Sequence, residues 1–312
     1  MITKNSNRLP ESVHIPVLLQ EVLDLLTPQP NKVYIDGTLG GGGHTEALCR
    51  LGASVIAFDR DVEALNRAES RLRCLFESDP FDRSPFPVRF VHADFRFFAE
   101  ALDMLEIEKI DGFLLDLGLS SDQLTDTERG FSFESGGKLD MRFDTSEGVS
   151  ACELLAALSE TEIADIIYRF GEERYSRRIA RKIVEHRENE SPIQAARQLA
   201  DIVRKCVPKS WKNPIDPATR TFQALRIAVN DELGALKTAL EQLPERMKPG
   251  GIAAVISFHS LEDRIVKTFF RDSRYWKVIT PKPITASEEE IAQNPRARSA
   301  KLRGAERLQP RR

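Results

Sequence analysis

Apolar and polar positions up to Gly118 switch repeatedly between two periods. "PVLLQEVLDLL" (Pro16 to Leu26) has the i, i+3, i+4 spacing of an amphipathic helix, and "KVYID" (Lys32 to Asp36) is the unbroken apolar run of a buried strand. A short helix is predicted over Thr45 to Leu51, a second strand over "SVIAFD" (Ser54 to Asp59), and a helix over Asp61 to Leu75. "ESDPFDRSPFP", with three prolines, reads as a surface loop. "VRFVH" (Val88 to His92) and "IDGFLLDLG" (Ile110 to Gly118) are strands separated by a helix around Phe97 to Leu105. Strands alternating with helices predict a mostly parallel sheet wrapped on both faces, an α/β fold.

The alternation then stops. Ser120 to Gly148 is rich in Gly, Ser, Asp and Thr and reads as a long irregular segment, a length usual for functional loops. Helices without strands follow: Ile163, Ile166, Ile167 and Phe170 share one face, as do Leu199, Ile202, Val203 and Cys206. After the loop "PKSWKNPIDPA", one long helix is predicted with Phe222, Leu225, Val229, Leu233, Leu236 and Leu240 along one side. "KPGG" (Lys248 to Gly251) reads as a turn and "IAAVISF" (Ile252 to Phe258) as a buried strand. The division expected is a core of 1–140 with 215–312, interrupted by an all-helical insertion over 141–214.

Composition adds bounds. At 41% hydrophobic and 30% charged, the 312 residues are those of a globular protein. A net charge of −3 points to no polyanion partner, so any basic surface is local. Two local runs qualify: "RYSRRIARKIVEHR" (Arg174 to Arg187), with six Lys/Arg against one Glu, and "PRARSAKLRGAERLQPRR" (Pro295 to Arg312), with seven against one. Either would suit phosphates, although a basic helix is as often a solvated face. No apolar run approaches the roughly 18 residues of a membrane span, and the first residues lack the apolar centre of a signal peptide. Cys49, Cys74, Cys152 and Cys206 form no CxxC pair. This argues against a zinc site or a disulfide scaffold and fits a reducing cytoplasm; no metal is expected.

The chemistry concentrates in "VYIDGTLGGGGHT" (Val33 to Thr45). A strand, a glycine-rich turn and a helix, with Asp59 lying 19 residues after Gly40, describe a nucleotide-binding unit whose carboxylate accepts from both ribose hydroxyls. A dinucleotide fingerprint needs a third glycine where this chain has Thr45 or Glu46, and no GKS or GKT follows for a phosphate loop. Asp36, at the strand end, would repel a pyrophosphate but attract the sulfonium and ammonium of S-adenosylmethionine. A ligand-free tight turn is the remaining alternative. In "HADF", Phe95 is either a stacking surface for adenine or a core aromatic. Asp116 ends an apolar strand, where a carboxylate without a partner is costly, and is the candidate catalytic group, with helix capping as the alternative. His259, in "SFHSLEDR" after the last strand, either accepts a proton or contacts RNA, or is a hydrogen-bonded structural histidine. Asp140 and Arg142 of "LDMRFD" are candidates for a lid.

The blocks "HIPVLLQEV", "YIDGTLGGGGHT", "FDRD", "LLDLGLSSDQL", "RGFSF", "LDMRFD", "GEERYSRRIARKI", "PATRTFQALRI", "ISFHSLEDRIVK" and "NPRARSAKLRGAER" resemble, in order and over His14 to about Arg307, the RsmH/MraW family. The resemblance implies a Rossmann-like S-adenosylmethionine-dependent methyltransferase core with an inserted helical domain for RNA recognition. The implied reaction is methylation of a cytosine N4 in small-subunit ribosomal RNA near the decoding centre, with the RNA in an assembled or nearly assembled subunit. Cofactor contacts carried over by motif are Gly42, Gly43, His44, Asp59, Phe95, Asp116 and Gln123. The chain departs from the family by an extra glycine before His44 and a shorter stretch between Trp276 and Asn294. A homodimer is compatible with it; a membrane partner is not expected.

Two alternatives stay open at this point: the same core acting on another RNA base, or a non-catalytic RNA-binding assembly factor. Methylation at cytosine C5 would need a thiolate, and no cysteine stands in a motif for it. An exocyclic amine instead needs orientation and a route for its proton. Many amino methyltransferases use Asn/Asp-Pro-Pro-aromatic there, where this chain has Asp116-Leu-Gly-Leu, keeping a carboxylate but not the Pro-Pro turn. A flipped-out base suits a site of this kind.

Overall fold

The computed structural model describes residues 15–77, 85–120, 123–124, 126–133, 136–208 and 216–309. His14, most of the two proline-rich loops (78–84 and 209–215) and the last basic residues, Arg311 and Arg312, lie outside these. Seven strands form one sheet in the order β3-β2-β1-β4-β5-β7-β6. They are β1 (Val33–Asp36), β2 (Ser54–Asp59), β3 (Val88–His92), β4 (Ile110–Asp116), β5 (Met247–Ser257), β6 (Trp276–Val278) and β7 (Lys301–Arg307). The first five are parallel to one another, whereas β7 runs antiparallel to β5 and β6.

Register carries function. Asp36 pairs with Ala57 and with Leu114, Asp59 with His92, and Asp116 with Ile256. Each carboxylate is the last residue of its strand, so parallel pairing sets all three on one edge of the sheet. That is the edge where open α/β sheets bind ligands.

On one face pack α1 (Leu19–Leu26), α2 (Gly43–Arg50) and α3 (Val62–Phe76), with Leu48, Leu65 and Leu72 against Val55, Ala57 and Leu114. On the other pack α4 (Phe98–Met104), α10 (Glu232–Arg246) and α11 (Ser260–Asp272), with Phe98, Leu236 and Phe270 against Phe58, Phe113 and Val255. The helices between β4 and β5 are α5 (Ala151–Ala157), α6 (Glu160–Gly171), α7 (Ser176–Asn189), α8 (Ala196–Cys206) and α9 (Ala218–Asn230). Capping boxes at Ser150/Glu153 and Ser159/Glu162 start the first two. Their core is separate, built on Ile163, Ile167, Ile179, Ile183, Leu199 and Val203. It also takes Phe131, Leu139 and Met141 from the irregular segment and Ala218, Phe222 and Leu225 from α9.

Three expectations are corrected. The long helix after the insertion is two helices, because Asp231 adopts a left-handed conformation (φ +48°) between α9 and α10. There it receives an ion pair from Arg96 at 2.9 Å, while Glu232 turns back to pair with Arg226. "KPGG" is not a turn outside the strand but an irregularity within β5: the register jumps from Ile110↔Met247 to Gly112↔Ile252, with Gly250 at φ +82°. Finally, the centre of the basic C-terminal run, Lys301–Arg307, is the strand β7. Arg303 is buried against Asp263 at 2.6 Å and Arg307 donates to the Pro244 carbonyl at 2.8 Å, so these cations are structural rather than phosphate contacts. In the basic helix α7, Arg187 likewise donates to the carbonyls of Leu155 and Leu158 at 2.7 and 2.6 Å, capping the end of α5. Arg177, Arg178, Arg181 and Lys182 remain exposed along α7.

Candidate active site

The glycine run is a turn folded back on the neighbouring strand. Gly40, in the left-handed region at φ +49°, aims its N–H at Asp59 Oδ2, 2.8 Å away. Asp61 N–H binds the other oxygen at 2.8 Å. Gly42 is left-handed too, and a Cβ on Gly43 would stand 2.3 Å from Pro16. Gly42 and Gly43 therefore let α2 pack closely, while Gly37, Thr38 and Gly40 line the pocket above the sheet edge. Of the residues expected from sequence, Asp59, Phe95, Asp116 and Gln123 line that pocket as well.

Three carboxylates crowd this edge, and burial governs all of them. Asp36, 1% exposed, accepts from Thr45 Oγ1 at 2.7 Å and Thr38 N–H at 3.1 Å, yet loss of water raises its pKa. Burial pushes Asp59 up to about 6 despite its two backbone donors. Asp116 is raised too, with His44 and Arg296 pulling the other way and Asp36 adding to the rise. His44 lies behind the pocket wall: its Nε2 donates to the Val17 carbonyl at 3.0 Å, and its Nδ1 faces Asp116 Oδ2 at 4.0 Å. The backbone N–H of Asp116 is taken by Thr38 Oγ1 at 2.6 Å. Its Oδ1 is buried and has no hydrogen-bond partner among the described residues.

Such a pocket fits S-adenosylmethionine. Buried carboxylates with raised pKa values suit a cationic group, Asp59 lines the pocket beside the turn, and the turn presents bare backbone. Ligand binding by the ionised Asp59 should follow pH accordingly. Affinity is expected to be flat above about pH 7 and to fall by up to tenfold per pH unit below about 6, as a proton must first leave. Calorimetry from pH 5 to 8 checks this, and a flat profile contradicts it. The sign for folding is opposite. A carboxyl raised from 3.8 to about 6 favours the ligand-free fold below its unfolded value, and that contribution is lost as pH rises through about 6.

His259 does not line the pocket; its neighbour Glu262 does, with Glu232. His259 is the N-cap of α11, where its Nδ1 accepts from Glu262 N–H at 3.5 Å. Its Nε2 lies 3.1 Å from Glu262 Oε1, off the line of a hydrogen bond. A nitrogen facing an N–H is the acceptor, so the neutral ring carries its hydrogen on Nε2, beside the carboxylate. In that tautomer the acceptor nitrogen, Nδ1, faces the start of α11 and not the pocket. Glu232, His259 and Glu262 are compact enough for a metal, with ligand atoms within 4.8 Å of one another. Their protons suit one poorly: Nε2 holds a hydrogen, and Arg226 makes two bonds to Glu232 at 2.7 and 2.9 Å. Glu262, 2% exposed, also accepts from Phe258 N–H at 2.8 Å. Truncation by Glu262→Ala takes the acceptor from the backbone N–H groups of Phe258 and His259, bound at 2.8 and 3.3 Å, and is expected to lower stability by about 2–4 kcal/mol. Urea denaturation measures this, and a change below about 1 kcal/mol would refute the pairing.

Glu232, Glu262 and Phe143 line the pocket without having been expected there. Glu262 carried one usable signal, its place three residues after a histidine cap. Phe143 lies in "LDMRFD", where attention falls on Asp140 and Arg142; those two pair with each other at 2.7 Å. Phe143 reaches the pocket because the irregular segment folds back across it.

The parallel sheet with β7 inserted antiparallel beside β5, the glycine turn after β1 and the acidic strand ends define a Rossmann-like methyltransferase. A family model described as the MraW methylase family matches residues 11–308. The chain belongs to that family. It is 47% identical to the ribosomal RNA small subunit methyltransferase H of Geotalea uraniireducens over 95% of this chain and 98% of that protein. Against the protein of the same name from Deinococcus radiodurans it is 47% identical over 98% and 93%. A solved rRNA methylase from Streptococcus thermophilus superposes with a TM-score of 0.44 at 12% identity, covering 95% of this chain and 99% of that one.

Proposed function

We propose that this protein methylates small-subunit ribosomal RNA with S-adenosylmethionine, at the N4 amine of a cytidine near the decoding centre. Its substrate is RNA in an assembled or nearly assembled subunit, which places it in the cytoplasm. The ribosomal substrate follows the names of its full-length relatives. The observation that carries the choice of an amine is Asp116 Oδ1, a buried acceptor at the edge of the pocket with no partner among the described residues. A buried acceptor of this kind calls for a donor from the substrate, and an amino group brings two.

Bound S-adenosylmethionine supplies a methyl group activated by its sulfonium. The chain's own residues do the rest. Asp59 takes the ribose hydroxyls, Phe95 and Gln123 flank the nucleoside, and Gly42, Gly43 and His44 shape the turn beneath it. Asp116 accepts one N4–H, turning the nitrogen lone pair toward the methyl, and its raised pKa suits it to hold the proton that leaves. His259 is held in a reciprocal capping box with Glu262, which fixes the start of α11, rather than taking that proton. Thiol chemistry at C5 finds no support: burial pushes Cys49 up to about 12 and raises Cys206, and no cysteine lines the pocket among the described residues.

The helical unit, 141–214 with its docking helix α9, serves as the RNA-recognition part, with Arg177, Arg178, Arg181 and Lys182 toward phosphates. Isotope-labelled donor incubated with unmodified small and large ribosomal subunits tests the substrate class. Label confined to the small-subunit RNA supports the reading, and equal label in both rejects it.

A further inference from the structure

The irregular segment after β4 returns to the pocket at Met141–Phe143, and one side chain holds it on both sides of Arg142. Asn230, the last residue of α9, is 2% exposed. Its Oδ1 accepts from Phe143 N–H at 2.8 Å, and its Nδ2 donates to the Met141 carbonyl at 2.7 Å and the Arg226 carbonyl at 2.9 Å. The amide thus stands in for a neighbouring strand. Its own carbonyl accepts from Arg60 Nη1 at 2.8 Å, one residue beyond Asp59. The Arg60 guanidinium also lies over the Phe143 ring, 5.8 Å from its centre, and Arg60 and Phe143 both line the pocket.

The segment does not hold this shape by local preference. Met141 has φ +64°, a region costly for a long side chain and kept only where surroundings enforce it. Arg129 supplies the second pin, donating to the Phe143 carbonyl at 2.6 Å and to Asp61. Asn230 belongs to the helix whose Phe222 and Leu225 are buried in the helical core. It therefore ties the docking of the helical unit to the wall of the nucleoside pocket.

We infer that Asn230 is a positioning residue for the cofactor pocket, acting through Phe143; this rests on reading the pocket as the S-adenosylmethionine site. The side chain touches no substrate. It sets where the Phe143 ring and the Arg60 guanidinium stand, and α9 must be docked for the pocket wall to be complete.

A double-mutant cycle tests this with S-adenosylhomocysteine binding measured by calorimetry on the full chain. Asn230→Ala and Phe143→Ala are each expected to weaken binding about tenfold, the size of one or two lost buried bonds. The double variant is expected to be no weaker than Phe143→Ala alone, because the two act as one unit. Asn230→Asp, near-isosteric, keeps the acceptor for Phe143 but faces the Met141 carbonyl with a second acceptor. It repeats the cycle should the alanine variant fold poorly. Multiplying losses in the double variant would show a general structural role and overturn the inference, as would unchanged affinity in the Asn230 variants. Absence of binding by the unaltered protein would overturn the site reading beneath it.

Discussion

Replacing Asp116 by asparagine is expected to slow methyl transfer by about 10²–10³-fold while changing cofactor affinity by less than about tenfold. The substitution keeps the shape of the side chain and the backbone bond to Thr38 Oγ1. It leaves one acceptor oxygen where the carboxylate has two, and it removes the charge and the group whose burial raises its affinity for a proton. An amide cannot store the proton leaving the amine, and its NH2 competes with N4–H for the same geometry. Single-turnover transfer to small subunits, with affinity measured separately, divides the two effects. A loss confined to affinity would assign Asp116 to the cofactor alone.

The second large effect falls on Asp59. Asp59→Ala is expected to raise the dissociation constant for S-adenosylmethionine by about 100-fold, since two charge-assisted hydrogen bonds to ribose hydroxyls disappear. Stability should move differently. An ionised Asp59 costs the empty fold about 3 kcal/mol near neutral pH, from a pKa raised from 3.8 to about 6. Asp59→Asn, which keeps an acceptor for Gly40 N–H, is therefore expected to melt no lower than the parent at pH 7.5 while binding ligand far more weakly. Melting well below the parent would mean that this carboxylate serves the fold and not the ligand.

How far the sequence was legible depends on what kind of signal each element left. β2 and β3 have the predicted bounds because apolar runs with polar ends admit few readings. Parallel pairing then brings Asp36, Asp59 and Asp116 to one edge, so the acidic half of the site follows from strand order alone. β7 was hidden because its buried positions include Arg303 and Arg307, whose charges mimic a solvated basic run until Asp263 and the Pro244 carbonyl are in place. The break at Asp231 was hidden for the converse reason: the apolar stripe from Phe222 to Leu240 continues through it, and the kink is made by partners distant in sequence, chiefly Arg96. Phe143 and Asn230 left no periodic trace. They meet across 87 residues, and only the fold shows that an amide, rather than a strand, holds the segment.

Which atom accepts the methyl group decides most. Unmodified small subunits and naked small-subunit RNA, each incubated with isotope-labelled S-adenosylmethionine and the protein, would be digested to nucleosides and separated by mass spectrometry. Label is expected in N4-methylcytidine, more from subunits than from naked RNA, and lost with Asp116→Asn. Label in 5-methylcytidine or in a methylated adenosine or uridine, from either RNA, would contradict it.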